Sequence, residues 1–304
     1  MKLQNAIDSF LQEQKARGNI NSTIRDYERN LSYFVDFCGD IDILTIDKSK
    51  IIDYIVYLRE KPKNLGHKNK KVYDNTFVSS VTIQSYVRHL KVFLTWCYEN
   101  DFIKTNLSAK IKLPKAKKEL IKILSDEEIK AIFNSCKYSN YSLRDKLIIS
   151  LMLHSGLRAS EVALLKKSNY NAKTKLFIVF GKGQKERIVP IGKITSEYLD
   201  QYIKEFFRYR NYKSKGYLFE DYEGNHISYN AIRLMIDRVA QRSNVKRLHP
   251  HLLRHTFATR YLIKTKGDIT SLKAILGHTS LKVVENYLHL AMSYSIGQYR
   301  EFCD

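Results

Sequence analysis

Tyr287, in Val284-Glu285-Asn286-Tyr287, lies nine residues after His278 in Leu276-Gly277-His278. Upstream, Gly156-Leu157-Arg158-Ala159-Ser160-Glu161 sets an arginine in a glycine-opened helix start. His251-Leu252-Leu253-Arg254-His255 puts His251 and Arg254 on one helix face, three residues apart. Lys182 stands in a glycine turn, Gly181-Lys182-Gly183-Gln184. A tyrosine hydroxyl can attack a phosphodiester and hold it as a covalent intermediate. The transition state spreads negative charge over non-bridging oxygens, so placed cations supply most of the catalysis. Arginine suits that task because its planar fork donates two hydrogen bonds to phosphate and keeps its proton. A histidine can accept the phenolic proton, and a lysine can donate one to the departing sugar oxygen. Two arginines, two histidines, a lysine and a tyrosine would make a metal-free phosphodiester site.

Each residue also has a plainer reading. Tyr287 is one of 21 tyrosines, and on an amphipathic helix a tyrosine is usually a half-buried packing residue. Arg158 could simply pair with Glu161 along a helix surface. Lys182 could be a solvated hairpin tip. His251 and His255, four apart, could be read as metal ligands. Against that, Arg254 lies between them, Leu252 occupies the glutamate position of the zinc-protease pattern, and no acidic cluster accompanies them. His255 is left as a packing or hydrogen-bonding residue.

Those segments need a scaffold, and 304 residues are enough for two domains. An apolar content of 44% with 12% aromatics predicts packed cores rather than disorder. The most apolar stretch, Leu147 to Leu153, is far shorter than the ~20 residues a bilayer requires. The opening MKLQNAIDSF lacks an apolar signal core, and Cys38, Cys97, Cys136 and Cys303 show no paired spacing. A cytoplasmic protein without zinc or disulfides is expected. The 52 Lys+Arg against 31 Asp+Glu give +21, which favours a polyanionic partner, nucleic acid before anionic membrane.

Residues 1–113 read as helical. Ile24, Tyr27, Leu31, Phe34 and Val35 recur at helical spacing, as do Ile51, Ile52, Ile55, Tyr57 and Leu58, and then Val87, Leu90, Phe93, Leu94 and Trp96. Between the last two runs, Glu60 to Ser80 is polar and Lys-rich and reads as a long exposed loop, either functional or disordered. Leu113-Pro114 followed by Lys115-Ala116-Lys117-Lys118-Glu119 marks a boundary, with a basic linker over 114–121. Ser125 and Glu128 then form a capping box that starts a new helix near residue 126. Residues 1–113 hold 18 Lys+Arg against 13 Asp+Glu, +5, and the remainder 34 against 18, +16. Both parts are basic, as a clamp around DNA would be. The second part is mostly helical with one strand pair, Leu176 to Phe180 and Arg187 to Ile191. Near its end, Ile269 to Leu276 and Ser280 to His289 read as helices separated by Gly277, a C′ glycine, with Thr279 or Ser280 as N-cap.

The set and order of these residues resemble the tyrosine recombinase family, the phage integrase and Xer-type enzymes, over nearly the whole chain. The family's first arginine falls on Arg158 in its Gly-Leu-Arg-x-Ser-Glu setting, and the hairpin lysine on Lys182 in Gly-Lys-Gly-x-Lys-x-Arg. The His-x-x-Arg pair falls on His251 and Arg254, the second histidine on His278, and the nucleophile on Tyr287. Two features depart from the pattern: Asn106-Leu107 stands where Asn-Pro is frequent, and the Glu60 to Ser80 stretch is longer than in compact Xer members.

The resemblance implies a mainly α protein. Residues 1–113 would be a helical, SAM-like core-binding domain on DNA, and 122–304 an α+β catalytic domain with a small antiparallel sheet and a C-terminal interaction segment. It implies that Tyr287 forms a 3′-phosphotyrosine and frees a 5′-hydroxyl, that Arg158, Arg254 and His278 hold the phosphate, and that His251 accepts the phenolic proton while Lys182 protonates the leaving oxygen. No cofactor, ATP or metal is implied. The implied partners are double-stranded DNA with inverted-repeat sites and three further copies in a homo-tetramer, or a second recombinase in a hetero-tetramer, on two duplexes. An accessory DNA translocase or architectural protein, and a nucleoid-associated location, complete the expectation. Leu288 to Asp304 would dock on a neighbouring protomer through Leu290, Ile296, Tyr299 and Phe302. Two rival classes share parts of the pattern: a type IB topoisomerase, and a non-catalytic DNA-binding protein using Ile269 to His289 as a helix-turn-helix.

Overall fold

The computed structural model describes residues 1–62, 77–115, 122–181, 186–208, 214–277, 287–288 and 291–292. The chain divides into two compact units, Met1–Glu119 and Leu120–Asp304. Among the described residues no helix is long and apolar enough to cross a membrane.

The first unit is all helical: α1 (Leu3–Ala16), α2 (Asn21–Cys38), α3 (Lys48–Glu60) and α4 (Ser80–Glu99). The three apolar runs of the sequence lie on α2, α3 and α4. Helix α1 is an element those runs did not single out, although Leu3, Ala6, Ile7, Phe10 and Leu11 keep the same period and are buried. Asp47 and Ser79 cap α3 and α4 by accepting from the N–H groups of Lys50 and Thr82. The core centres on aromatic rings, with Phe10 edge-on to Tyr27, Phe93 and Trp96 at centroid distances of 5.1, 5.6 and 5.5 Å. Trp96 reaches the rim of this cluster, where its Nε1–H donates to Glu13 at 2.7 Å. Most of the Lys-rich stretch, residues 63–76, lies outside the described residues, as do 116–121 of the linker.

The second unit holds helices α5 (Asp126–Ser135), α6 (Ser142–Ser155) and α7 (Ala159–Ala163), then strands β1 (Tyr170–Asn171), β2 (Leu176–Phe180) and β3 (Glu186–Pro190). Helices α8 (Lys193–Arg208), α9 (Tyr229–Arg242), α10 (Pro250–Lys264) and α11 (Ile269–Leu276) follow. The capping box at α5 forms, with Ser125 Oγ accepting from Glu128 N–H and Glu128 Oε2 from Ser125 N–H. Helix α6 is apolar around most of its circumference and is accordingly buried at the centre of the unit. The sheet is antiparallel in the order β1-β2-β3, with Ile178 opposite Ile188 and Val179 opposite Arg187. Its third strand was not read from sequence, because two residues carry no alternation and β1 exists only by pairing with β2. Phe177, Val179 and Val189 turn into the core, which seats the hairpin on the helices.

Candidate active site

Helix α6 ends at Gly156, whose φ of +68° is the left-handed conformation that only glycine adopts without strain. A Cβ there would lie 2.5 Å from Phe257 on α10 and 2.8 Å from Leu276 on α11. The glycine therefore allows three elements to meet at one corner. It also turns the chain so that Arg158 becomes the N-cap of α7.

Arg254 enters the same corner from α10. His249 caps that helix, its Nδ1 accepting from Leu252 N–H at 3.1 Å, and Pro250 fills the first helical position where no donor is needed. The Arg254 side chain is 4% exposed. Its Nη1 donates to the Gly156 carbonyl, and its Nη2 to the Leu276 carbonyl at 2.9 Å, so it closes the C-terminal ends of α6 and α11 at once. Burial, followed by Arg158, lowers its pKa to about 10, which leaves it charged at neutral pH.

Arg158 keeps a third of its side chain exposed. Its N–H and its Nη1 both bond the Glu161 carboxylate, at 2.7 and 2.8 Å. The remaining guanidinium edge is the part able to meet a ligand. The pairing with Glu161 is not the surface pair that an i,i+3 spacing resembles, because Glu161 is only 5% exposed. It also accepts from Arg187 on β3, Nη1 at 2.8 Å and Nη2 at 2.7 Å. Burial works against its ionisation, and the Arg187 and then Arg158 contacts override it, holding the carboxyl below the usual carboxylate range. Three guanidinium groups around one carboxylate leave the corner net positive, as a site for a phosphodiester must be.

Tyr287 lies in this corner. Arg254 hydrogen-bonds its phenol oxygen, and Arg158 is near enough to act on it electrostatically. The ring is 4% exposed and packs with Ala258, Leu262, Leu272, Leu276 and Ala291 in a small cluster apart from the main core. Burial raises the phenol pKa while both arginines oppose the rise. His251, at the exposed start of α10, is held below the usual histidine value by partial burial and then by Arg254 and Arg158. Both histidine and tyrosine therefore feel the same two guanidinium groups.

Four of the six sequence-predicted residues, Arg158, His251, Arg254 and Tyr287, thus converge. Lys182 and His278 lie outside the described residues, as do Ser280 to Asn286, His289 and most of the C-terminal segment. Three neighbours were not assigned site roles from sequence. Glu161 and Arg187 were visible only as motif letters, because an ion pair 26 residues apart has no local signature. His255 packs its ring against Tyr287 at a centroid distance of 5.1 Å, and burial first, then His251, lowers its pKa to about 4. Its buried Nδ1 has no hydrogen-bond partner among the described residues. Among those residues, no three His, Cys, Asp or Glu side chains converge as a metal site would require.

Comparison with known proteins gives matches over nearly the whole chain. The model of the Phage integrase family matches residues 122–293, and that of the Phage integrase SAM-like domain matches residues 2–113. The sequence is 27% identical to a protein named Tyrosine recombinase XerD from Halalkalibacterium halodurans, over 99% of this chain and 98% of that one. The fold is similar to that of the Tn1549 transposon integrase in complex with a circular intermediate DNA, with a TM-score of 0.73 and 20% identity over 93% of this chain and 94% of that chain. It is also similar to XerH site-specific recombinase bound to a palindromic difH substrate, with a TM-score of 0.74 and 20% identity over 97% of this chain and 85% of that one.

Proposed function

The chain belongs to the phage integrase family, and from that premise we propose how its own residues cut and rejoin DNA. It is a tyrosine-type site-specific DNA recombinase, an enzyme whose substrate is duplex DNA. The observation that supports the assignment of residues is the Tyr287 phenol hydrogen-bonded by Arg254, with Arg158 also acting on it and both arginines acting on His251.

In this reading Tyr287 Oη attacks the scissile phosphorus. A phosphorus–Oη bond forms, the bond to the 5′ oxygen breaks, and a 3′-phosphotyrosine and a 5′-hydroxyl result. Arg254 and the free edge of Arg158 balance the charge gathering on the non-bridging oxygens, joined by His278. His251 takes the phenolic proton and Lys182 supplies one to the 5′ oxygen. The phosphotyrosine stores the bond energy, so attack by a partner strand's 5′-hydroxyl completes exchange and regenerates the phenol. Residues 1–113 act as the core-binding domain, 114–121 as linker and 122–304 as catalytic domain. Four protomers act on two duplexes with inverted-repeat sites, through the segment from Leu288 onward, as a homo-tetramer or with a second recombinase. An accessory translocase or architectural protein would act on that assembly.

Covalent capture tests the reading. The protein is incubated with fragmented source-genome DNA, quenched with detergent, and the protein-linked ends are sequenced. Adducts confined to a few inverted-repeat sites are expected. Adducts scattered over all sequences would indicate a type IB topoisomerase, and tight binding without adducts would leave a DNA-binding protein.

The histidine assignment has its own pH signature. Because the His251 pKa is lowered from 6.5, its neutral accepting form dominates at pH 7. Acid removes that form, so adduct formation should hold level between about pH 7 and 8 and fall by about tenfold per unit once the pH drops through the His251 pKa. A single-turnover pH profile checks this, and a rate that stays level down to about pH 5 would exclude His251 as the acceptor.

A further inference from the structure

His255 has no part in the chemistry described above, yet its imidazole lies against the nucleophile. Its centroid is 5.1 Å from that of the Tyr287 ring, with the two planes 54° apart. On α10, His255, Ala258 and Leu262 follow at spacings of three and four and form one stripe. Ala258 and Leu262 belong to the apolar seat of Tyr287, together with Leu272, Leu276 and Ala291. His255 extends that seat by one turn toward the start of the helix and sets a polar ring beside aliphatic side chains.

The Nδ1 atom of that ring is buried and has no hydrogen-bond partner among the described residues. Whichever tautomer the imidazole holds, Nδ1 is a donor or an acceptor, so the packing leaves one such group unmet. An unmet polar atom works against the packed arrangement, whereas an apolar side chain of similar shape would not. The ring carries no charge at neutral pH, because burial first, and then His251, lowers its pKa to about 4.

Tyr287 is enclosed as well. Its ring is 4% exposed, and so is the Arg254 side chain that hydrogen-bonds its phenol. A phosphodiester within a duplex cannot reach a phenol enclosed in this way, so attack requires the ring to move outward. That movement takes the ring off His255 and opens the imidazole to water. The unmet group therefore weighs on the seated tyrosine alone, and attack depends on how often the ring is outward.

We propose that His255 is a positioning residue that keeps the seat of Tyr287 weak, so that the nucleophile is released to DNA instead of being locked in its apolar cluster. This rests on the recombinase reading, with Tyr287 as the nucleophile. Better packing at position 255 should then stabilise the fold and slow the enzyme.

The test uses the whole chain, a suicide duplex built on the site recovered by covalent capture, and single-turnover adduct formation at saturating DNA. Wild-type protein must form adducts and Tyr287→Phe must not; failure of either would refute the reading beneath the proposal, whatever the His255 variants do. His255→Leu is close in volume and has no polar side-chain atom. It is expected to melt a few degrees higher than wild type and to form adducts about tenfold more slowly, with DNA binding by gel shift unchanged. His255→Asn keeps a polar atom near the place of Nδ1 but cannot take up a proton, and is expected to stay within about threefold of the wild-type rate. A His255→Leu protein that is slower and melts lower would make His255 an ordinary packing residue and overturn the proposal. One that keeps the wild-type rate would overturn it by showing that the seat does not limit release. Slowing of His255→Asn to the level of His255→Leu would also overturn it, by placing a proton transfer on the imidazole. Should His255→Leu lose its cooperative melting transition, His255→Met carries the same comparison with the same expectation.

Discussion

Tyr287→Phe is expected to bind duplex DNA as wild type does and to form no covalent adduct. The substitution removes one oxygen from a ring that is otherwise packed among Ala258, Leu262, Leu272 and Leu276, so the small cluster keeps its shape. What is lost is the hydrogen bond from Arg254. That arginine retains the Gly156 and Leu276 carbonyls, so the corner itself stays closed. The stability cost should be about 1 kcal/mol, the usual net worth of one hydrogen bond. The chemical cost is complete, because phenylalanine offers no nucleophile. Removing a phenol that desolvation already keeps protonated leaves the net charge of the site unchanged, so DNA affinity has no reason to fall. Binding by gel shift and adduct formation after detergent quench report the two quantities separately. A detergent-stable adduct from the variant would mean that another of the 21 tyrosines is the nucleophile.

Why this residue could be singled out from sequence, and its neighbours could not, follows from how each is specified. Gly156 and Gly277 were legible as backbone punctuation, the first read as a helix opening and the second as a helix end, and the structure uses both as left-handed helix ends. Arg158 and Arg254 were legible with them. The periodic apolar faces of α2, α3 and α4 were legible for the same local reason. Glu161 was not, because a carboxylate three residues from an arginine looks like a solvated surface pair until a second arginine arrives from a distant strand. Its second partner, Arg187, meets it only when the hairpin packs against α7 and α11. His255 was equally silent, since ring contact with Tyr287 depends on where the chain returns after α11. β1 is the extreme case, two residues with no pattern of their own.

Arg254→Lys is expected to cut the rate of adduct formation by about 10³-fold or more, although it conserves formal charge. The arginine uses its planar fork in three directions, toward the Gly156 carbonyl, the Leu276 carbonyl and the phenol. A lysine has one nitrogen, shorter reach and no plane, so it cannot close both helix ends and still face a phosphate. At least one buried carbonyl would lose its donor, at a cost of about 1–3 kcal/mol in stability. The charge is also less secure. Burial and Arg158 already draw the guanidinium down to about 10. The same two influences acting on an ammonium, which begins near 10.4, carry it into the range where enzymes are assayed. The sign follows from the group: a cation with a lowered pKa is lost as pH rises. Residual activity of the variant should therefore decline between about pH 7 and 9, where wild-type Arg254 is still charged. DNA binding should weaken only modestly, because one phosphate contact among many is affected. Single-turnover adduct formation measured across that range decides the matter. A variant within tenfold of wild type, with a level profile, would show that position 254 needs only a positive charge and that the fork geometry described here is dispensable.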